Sequence, residues 1–76
     1  MAKYILEVYE PGGADTVAFS IQSEKPFSAI SKGDLLHHQT MNMHHRLRVV
    51  EIQHLFWESP EGLAQKTCVQ TEAAHL

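Results

Sequence analysis

Apolar and polar residues alternate with a period of two along most of this chain, the signature of half-buried β-strands. Over Lys3 to Glu10, Tyr4, Leu6 and Val8 fall on one face and Lys3 and Glu7 on the other. Ile5 and Tyr9 add apolar mass to the second face, which suits a central strand or one that touches a partner. Thr16 to Ser23 alternates most cleanly, with Val17, Phe19 and Ile21 against Thr16, Ala18, Ser20 and Gln22. That pattern predicts a strand with one wet face, antiparallel to the first. Between them, Pro11-Gly12-Gly13-Ala14-Asp15 reads as a loop, because proline lacks a ladder donor and glycine accepts positive φ.

Ser23-Glu24-Lys25-Pro26 ends the second strand. Phe27 to Lys32 is ambiguous: Phe27 and Ile30 are spaced for one helical turn, yet an irregular strand fits as well. Next comes Ser31-Lys32-Gly33-Asp34, where Gly33 supplies backbone freedom and Asp34 can hold nearby amides. An apolar residue, a short polar gap, Gly-Asp and then a strand resembles the lead-in to small SH3-like barrels. The resemblance concerns fold alone and spans only about ten residues.

Gly33 to Trp57 reads as a long β-hairpin, with arms over Leu35 to Gln39 and His45 to Glu58. Thr40-Met41-Asn42-Met43 lies near its tip, with Asn42 suited to the turn. In the second arm Leu47 and Val49 share a face, while Val50, Ile52, His54 and Phe56 share the opposite one. The phase slips at Val49-Val50, which predicts a β-bulge that bends one long strand while keeping its apolar side inward. Ser59-Pro60-Glu61-Gly62 forms another turn, Leu63 to Thr71 a further strand, and 72–76 a frayed tail.

The expected fold is therefore all-β: about five antiparallel strands in a small barrel or strongly bent sheet. The alternative is α+β, with a short helix over Phe27 to Ser31. At 76 residues the chain is expected to form one domain, 1–76. A domain of this size buries only about 60% of its unfolded surface, so dimerisation or a bound metal would help it.

Composition narrows the function classes. A hydrophobic fraction of 43% argues against disorder. A net charge of −3 argues against nucleic-acid binding, which needs clustered lysine and arginine. The close pair Arg46 and Arg48 makes too small a stripe for it. No segment approaches membrane-spanning length, and Glu7 interrupts the run Tyr4-Ile5-Leu6 before it can form a signal core. With a lone Cys68, the cytoplasm is the expected compartment.

Histidines are the most conspicuous candidate chemistry. A turn centred on Met41 would set His38 opposite His44 and His37 opposite His45. A two-residue Met41-Asn42 turn instead leaves one pair, His38 and His45. A zinc site needs three or four ligands, and no Cys-x-x-Cys or His-x-x-x-His supplies the rest. Exposed polar residues are therefore the preferred reading, and no metal or other cofactor is expected. His54 shares a face with Val50, Ile52 and Phe56, so it reads as a buried neutral histidine with one ring nitrogen hydrogen-bonded. Cys68 in a strand of threonine and valine reads as a small buried hydrophobe, with no feature to lower its thiol pKa. Asp15, Asp34, Glu51 and Glu58 show no paired spacing, and no phosphate loop surrounds the glycines.

Leu55-Phe56-Trp57 places large apolar groups on both faces of one strand, and so small a domain has few elements to cover both. Leu55 and Trp57 are thus the expected partner-binding residues, for a protein partner or a second copy. The sequence points to a small non-catalytic interaction module. The alternative is a metal-binding or pH-responsive protein using the histidine pairs: protonating all six histidines would turn the net charge from −3 to +3.

Overall fold

A computed structural model describes residues 2–12, 16–38 and 45–75 of the chain. The described residues form five strands: β1 (Lys3–Tyr9), β2 (Val17–Ser23), β3 (Leu35–Leu36), β4 (His45–Ser59) and β5 (Gly62–His75). They form one sheet in the order β2-β1-β5-β4-β3, curled strongly into a half-barrel. The all-β expectation holds. None of the described residues is helical, so none belongs to a helix long and apolar enough to cross a membrane.

Pairing departs from the expected all-antiparallel sheet at one ladder. β1 and β5 run parallel, with Leu6 beside Thr67 and Val8 beside Val69. The other ladders are antiparallel. The reason is topological: the two-stranded β1-β2 unit and the β3-β4-β5 meander join edge to edge, and that seam need not alternate. Alternation along single strands carries no record of it. The hairpin reading of Gly33 to Trp57 also needs correction. The partner of β4 along its length is β5, whereas among the described residues β3 meets it only at Leu35–Arg48 and Leu36–Leu47. Of the expected frayed tail, residues 72–75 are in this ladder too, since β5 continues to His75 and Ala74 is buried beside Arg46, while Leu76 lies outside the described residues. The β4-β5 ribbon accounts for the molecule's long dimension of 43 Å.

The predicted bulge is present. Val49 lies opposite Thr71 and Glu51 opposite Gln70, leaving Val50 as the extra residue. Leu47 and Val49 before it, and Ile52 after it, thereby reach the same core. With Leu6, Val8 and Val69, these residues fill the concave side of the half-barrel at one end. Val8, Val49 and Val69 are fully buried at its centre.

A strap of eleven residues, 24–34, carries the chain from β2 across this concave side to β3 at the opposite edge. Phe27 and Ile30 pack from it onto the core. The short helix considered for Phe27 to Ser31 does not form. A helix advances only about 1.5 Å per residue, about half the rise of extended chain, and the strap has a whole sheet to cross. The strap ends in the anticipated turn: the Ser31 amide donates to Asp34 Oδ2 (2.8 Å) and the Asp34 amide to the Ser31 carbonyl (3.0 Å). Gly33 there has φ of 96°. Its amide donates to the Val49 carbonyl (2.8 Å), and the Val49 amide to the Asp34 carbonyl (2.9 Å). The strap is thus pinned to the residue that precedes the bulge.

Two outcomes are expected on unfolding in urea. Gly33→Ala loses about 1–2 kcal/mol through backbone strain alone, because an added Cβ would meet no atom within 4 Å. Deleting 72–76 lowers the midpoint clearly, by removing the partner of residues 45–48; an unchanged midpoint would mean that this end of the ladder contributes nothing.

Candidate functional site

The half-barrel is closed at one end and open at the other. At the closed end the two edges approach: the Phe19 ring on β2 stacks on His38, just beyond β3, with centroids 4.9 Å apart and planes at 22°. At the open end lie the β4-β5 turn and the β4 residues past the bulge. The turn is held by Ser59, whose hydroxyl donates to the Gly62 carbonyl (2.9 Å) and receives the Glu61 amide (3.3 Å). Among the described residues, no strand pairs with the outer edge of β4 beyond Val49. Residues 51–59, Glu-Ile-Gln-His-Leu-Phe-Trp-Glu-Ser, contain no lysine, arginine or proline. Such residues commonly blunt a free edge.

Large apolar groups flank this edge on both faces. Leu55 and Trp57, the expected partner-binding residues, lie on the convex face with 41% and 42% of their surface exposed. Phe56 on the concave face is 63% exposed, more than either. Its phase in the sequence groups it with the inward-facing residues, and the same Leu55-Phe56-Trp57 triplet carries the signal of its exposure. Beyond the bulge the concave face runs out past the end of the core, so inward phase no longer means burial. Leu63, opposite Glu58 on β5, is exposed as well.

Inward from Phe56 is a pocket of about 110 Å³. Tyr4 and Leu6 of β1, Gln65 and Thr67 of β5, and His54 of β4 line the sheet side, and residues 26–30 of the strap form the opposite wall. His54 is exposed rather than buried, although one ring nitrogen is hydrogen-bonded as expected. The Gln65 side-chain amide nitrogen lies 3.2 Å from His54 Nδ1, and Thr67 Oγ1 lies 3.2 Å from the same atom. With the Gln65 amide N–H as donor, Nδ1 is the acceptor of that contact, which leaves Nε2 as the ring's N–H. The ring stacks on Phe56 at 6.3 Å.

On the convex face, Leu55 borders a polar cluster that strand alternation did not single out. The Tyr9 hydroxyl donates to Glu7 Oε1, and Lys66 Nζ lies 3.2 Å from the same oxygen. The hydrogen bond from Tyr9 holds the Glu7 carboxyl below its ordinary value, burial opposes this, and Lys66 adds to the lowering. The Tyr9 hydroxyl is pushed well above its ordinary value, first by Glu7, then by its hydrogen bond with Cys68 and by burial. Residues i and i+2 share a strand face, so Glu7 and Tyr9 were adjacent in the pattern all along. Cys68 itself is buried, as expected.

The histidine pairs are not brought into view. Leu36 opposite Leu47 is the register that leaves the single pair His38 and His45, but the described ladder stops at Leu36. Residues 39–44, on which the pairing turns, lie outside the described residues. Among the described residues no three histidine, cysteine, aspartate or glutamate side chains gather as a metal site.

The convex cluster gives stability a definite pH profile. The lowered Glu7 contributes stability that is present above 4.5, its ordinary value, and is lost as pH falls through the lower folded value. The raised Tyr9 contributes stability that is full below 10.0 and is lost as pH rises towards the higher folded value. Urea midpoints should therefore form a plateau that falls on both sides. Glu7→Gln should flatten the acid limb and Tyr9→Phe the alkaline one; limbs unchanged in these variants would assign the profile to other groups.

Comparison of the chain with protein families, with curated proteins and with solved structures finds no match, so the reading of this site rests on its own geometry.

Proposed function

We propose that the protein is a small non-catalytic binding module that receives an extended polypeptide segment along the outer edge of β4. The observation that carries this reading is the combination at that edge. A run of ladder positions without a described partner strand is flanked on one face by Leu55 and Trp57 and on the other by Phe56. Unpaired backbone donors and acceptors accept a further strand, and pockets beside them select its alternate side chains. Here the concave pocket next to Phe56 would take one side chain of the incoming segment, and the Leu55–Trp57 surface the next.

The polar chemistry supports binding over catalysis. Glu7, Tyr9 and Lys66 satisfy one another, and a hydroxyl held so firmly protonated is a poor base. His54 Nδ1 is occupied by Gln65 and Thr67. We assign the module to the cytoplasm, on its single free thiol.

Selection from a displayed library of short extended peptides tests the proposal. Bound peptides should slow amide exchange within residues 51–59 and should favour alternating apolar residues. Leu55→Asp and Trp57→Asp each remove an apolar anchor and should weaken binding at least tenfold, with circular dichroism unchanged. Peptides that protect another strand, or bind both variants as well as the parent, would refute the assignment.

A further inference from the structure

We infer that the segment taken up at this edge is β4 of a second copy, paired antiparallel about a two-fold axis at Phe56. This inference rests on the edge-binding reading above and adds the identity of the occupant.

The free edge of β4 is complementary to itself. Antiparallel partners must lie on the same face of the sheet, so allowed registers of β4 against itself differ by steps of two residues. With Phe56 on the axis, the concave face sets Phe56 against its own copy and His54 opposite Glu58, twice. The convex face sets Leu55 opposite Trp57, twice, and Gln53 opposite Ser59. Every exposed apolar group of the strand then meets another, and each Glu58 carboxylate meets an imidazole. The contact with Gln65 suits that pairing: with Nδ1 accepting from the Gln65 amide, Nε2–H is the donor left for the Glu58 of the other chain.

Neighbouring registers lose this match. With Leu55 on the axis, Glu58 falls opposite Ile52 and Trp57 opposite Gln53. With Trp57 on the axis, Phe56 faces Glu58 and the overlap shortens to residues 55–59. The register at Phe56 pairs residues 53–59 and ends at Pro60, which has no N–H. Apolar pairs at the centre with polar pairs around them reproduce the anatomy of protein interfaces. Like pairing with like closes the assembly at two chains, whereas joining the β4 edge to the other outer strand, β2, would propagate.

Sedimentation velocity and light scattering of the intact chain across micromolar concentrations test the inference. The expected result is a reversible monomer–dimer equilibrium with no larger species. His54→Glu sets carboxylates against Glu58 in both copies and should raise the dissociation constant roughly tenfold or more. Adding Glu58→Lys to that variant should restore the parent value. Both positions are exposed, so circular dichroism should remain that of the parent throughout. A dimer indifferent to His54→Glu, a charge swap that fails to restore association, or a ladder of growing oligomers would each overturn the inference. So would a monomer at every concentration. If that monomer still binds selected peptides along residues 51–59, self-pairing alone is lost; if it binds none, the edge-binding reading falls as well.

Discussion

The junction at Val49 governs the rest of the structure. Its side chain is fully buried at the centre of the core, and its backbone amide and carbonyl are both spoken for by Asp34 and Gly33. The bulge begins at the next residue. At one point, therefore, the sheet bends, the strap ends and the outer edge of β4 changes from covered to free. Up to Val49 the strand is an interior element; after it, the same strand becomes a rim. Losing either backbone bond would leave a buried polar group without a partner, a penalty of about 1–3 kcal/mol, so the junction is well determined.

Much of this was legible because it is local. The strands, the Ser31–Asp34 turn, the Ser59–Gly62 turn and the phase slip at Val49-Val50 all announce themselves within a few residues. The hydrogen bond of Asp34 to the Ser31 amide was foreseeable from residue type alone. What escaped was non-local. The parallel seam between β1 and β5 leaves no mark in either strand, since both alternate as they would in any half-buried sheet. Glu-Ala-Ala is a weak strand former and reads as a tail, yet residues 72–75 pair because residues 45–48 need a neighbour.

The candidate site divides along the same line. Leu55 and Trp57 were recognisable as excess apolar surface on one strand, and the structure leaves them exposed. Phase places Phe56 on the inward face, where it lies, but phase does not report where the core ends. Val69 sits beneath Ile52, and two positions further on the floor is already Thr67 and Gln65, too polar to bury a phenyl ring. The Tyr9–Glu7–Lys66 cluster was concealed differently. Each residue has an ordinary solitary explanation on a strand face, and only the parallel register places Lys66 next to β1.

That seam has a consequence for how the chain reaches its native state. Leu6 and Thr67 are neighbours in the ladder although some sixty residues separate them in sequence. The β1-β2 and β4-β5 hairpins can each form early from nearby residues, but the central ladder closes only after the whole intervening loop has lost its freedom. The rate-limiting event in folding is then the docking of two preformed halves, with the apolar faces of both still uncovered while they search for one another. A chain built this way is most exposed to misassembly in that interval, when the first hairpin of one molecule can meet the second hairpin of another and complete the same sheet between two chains.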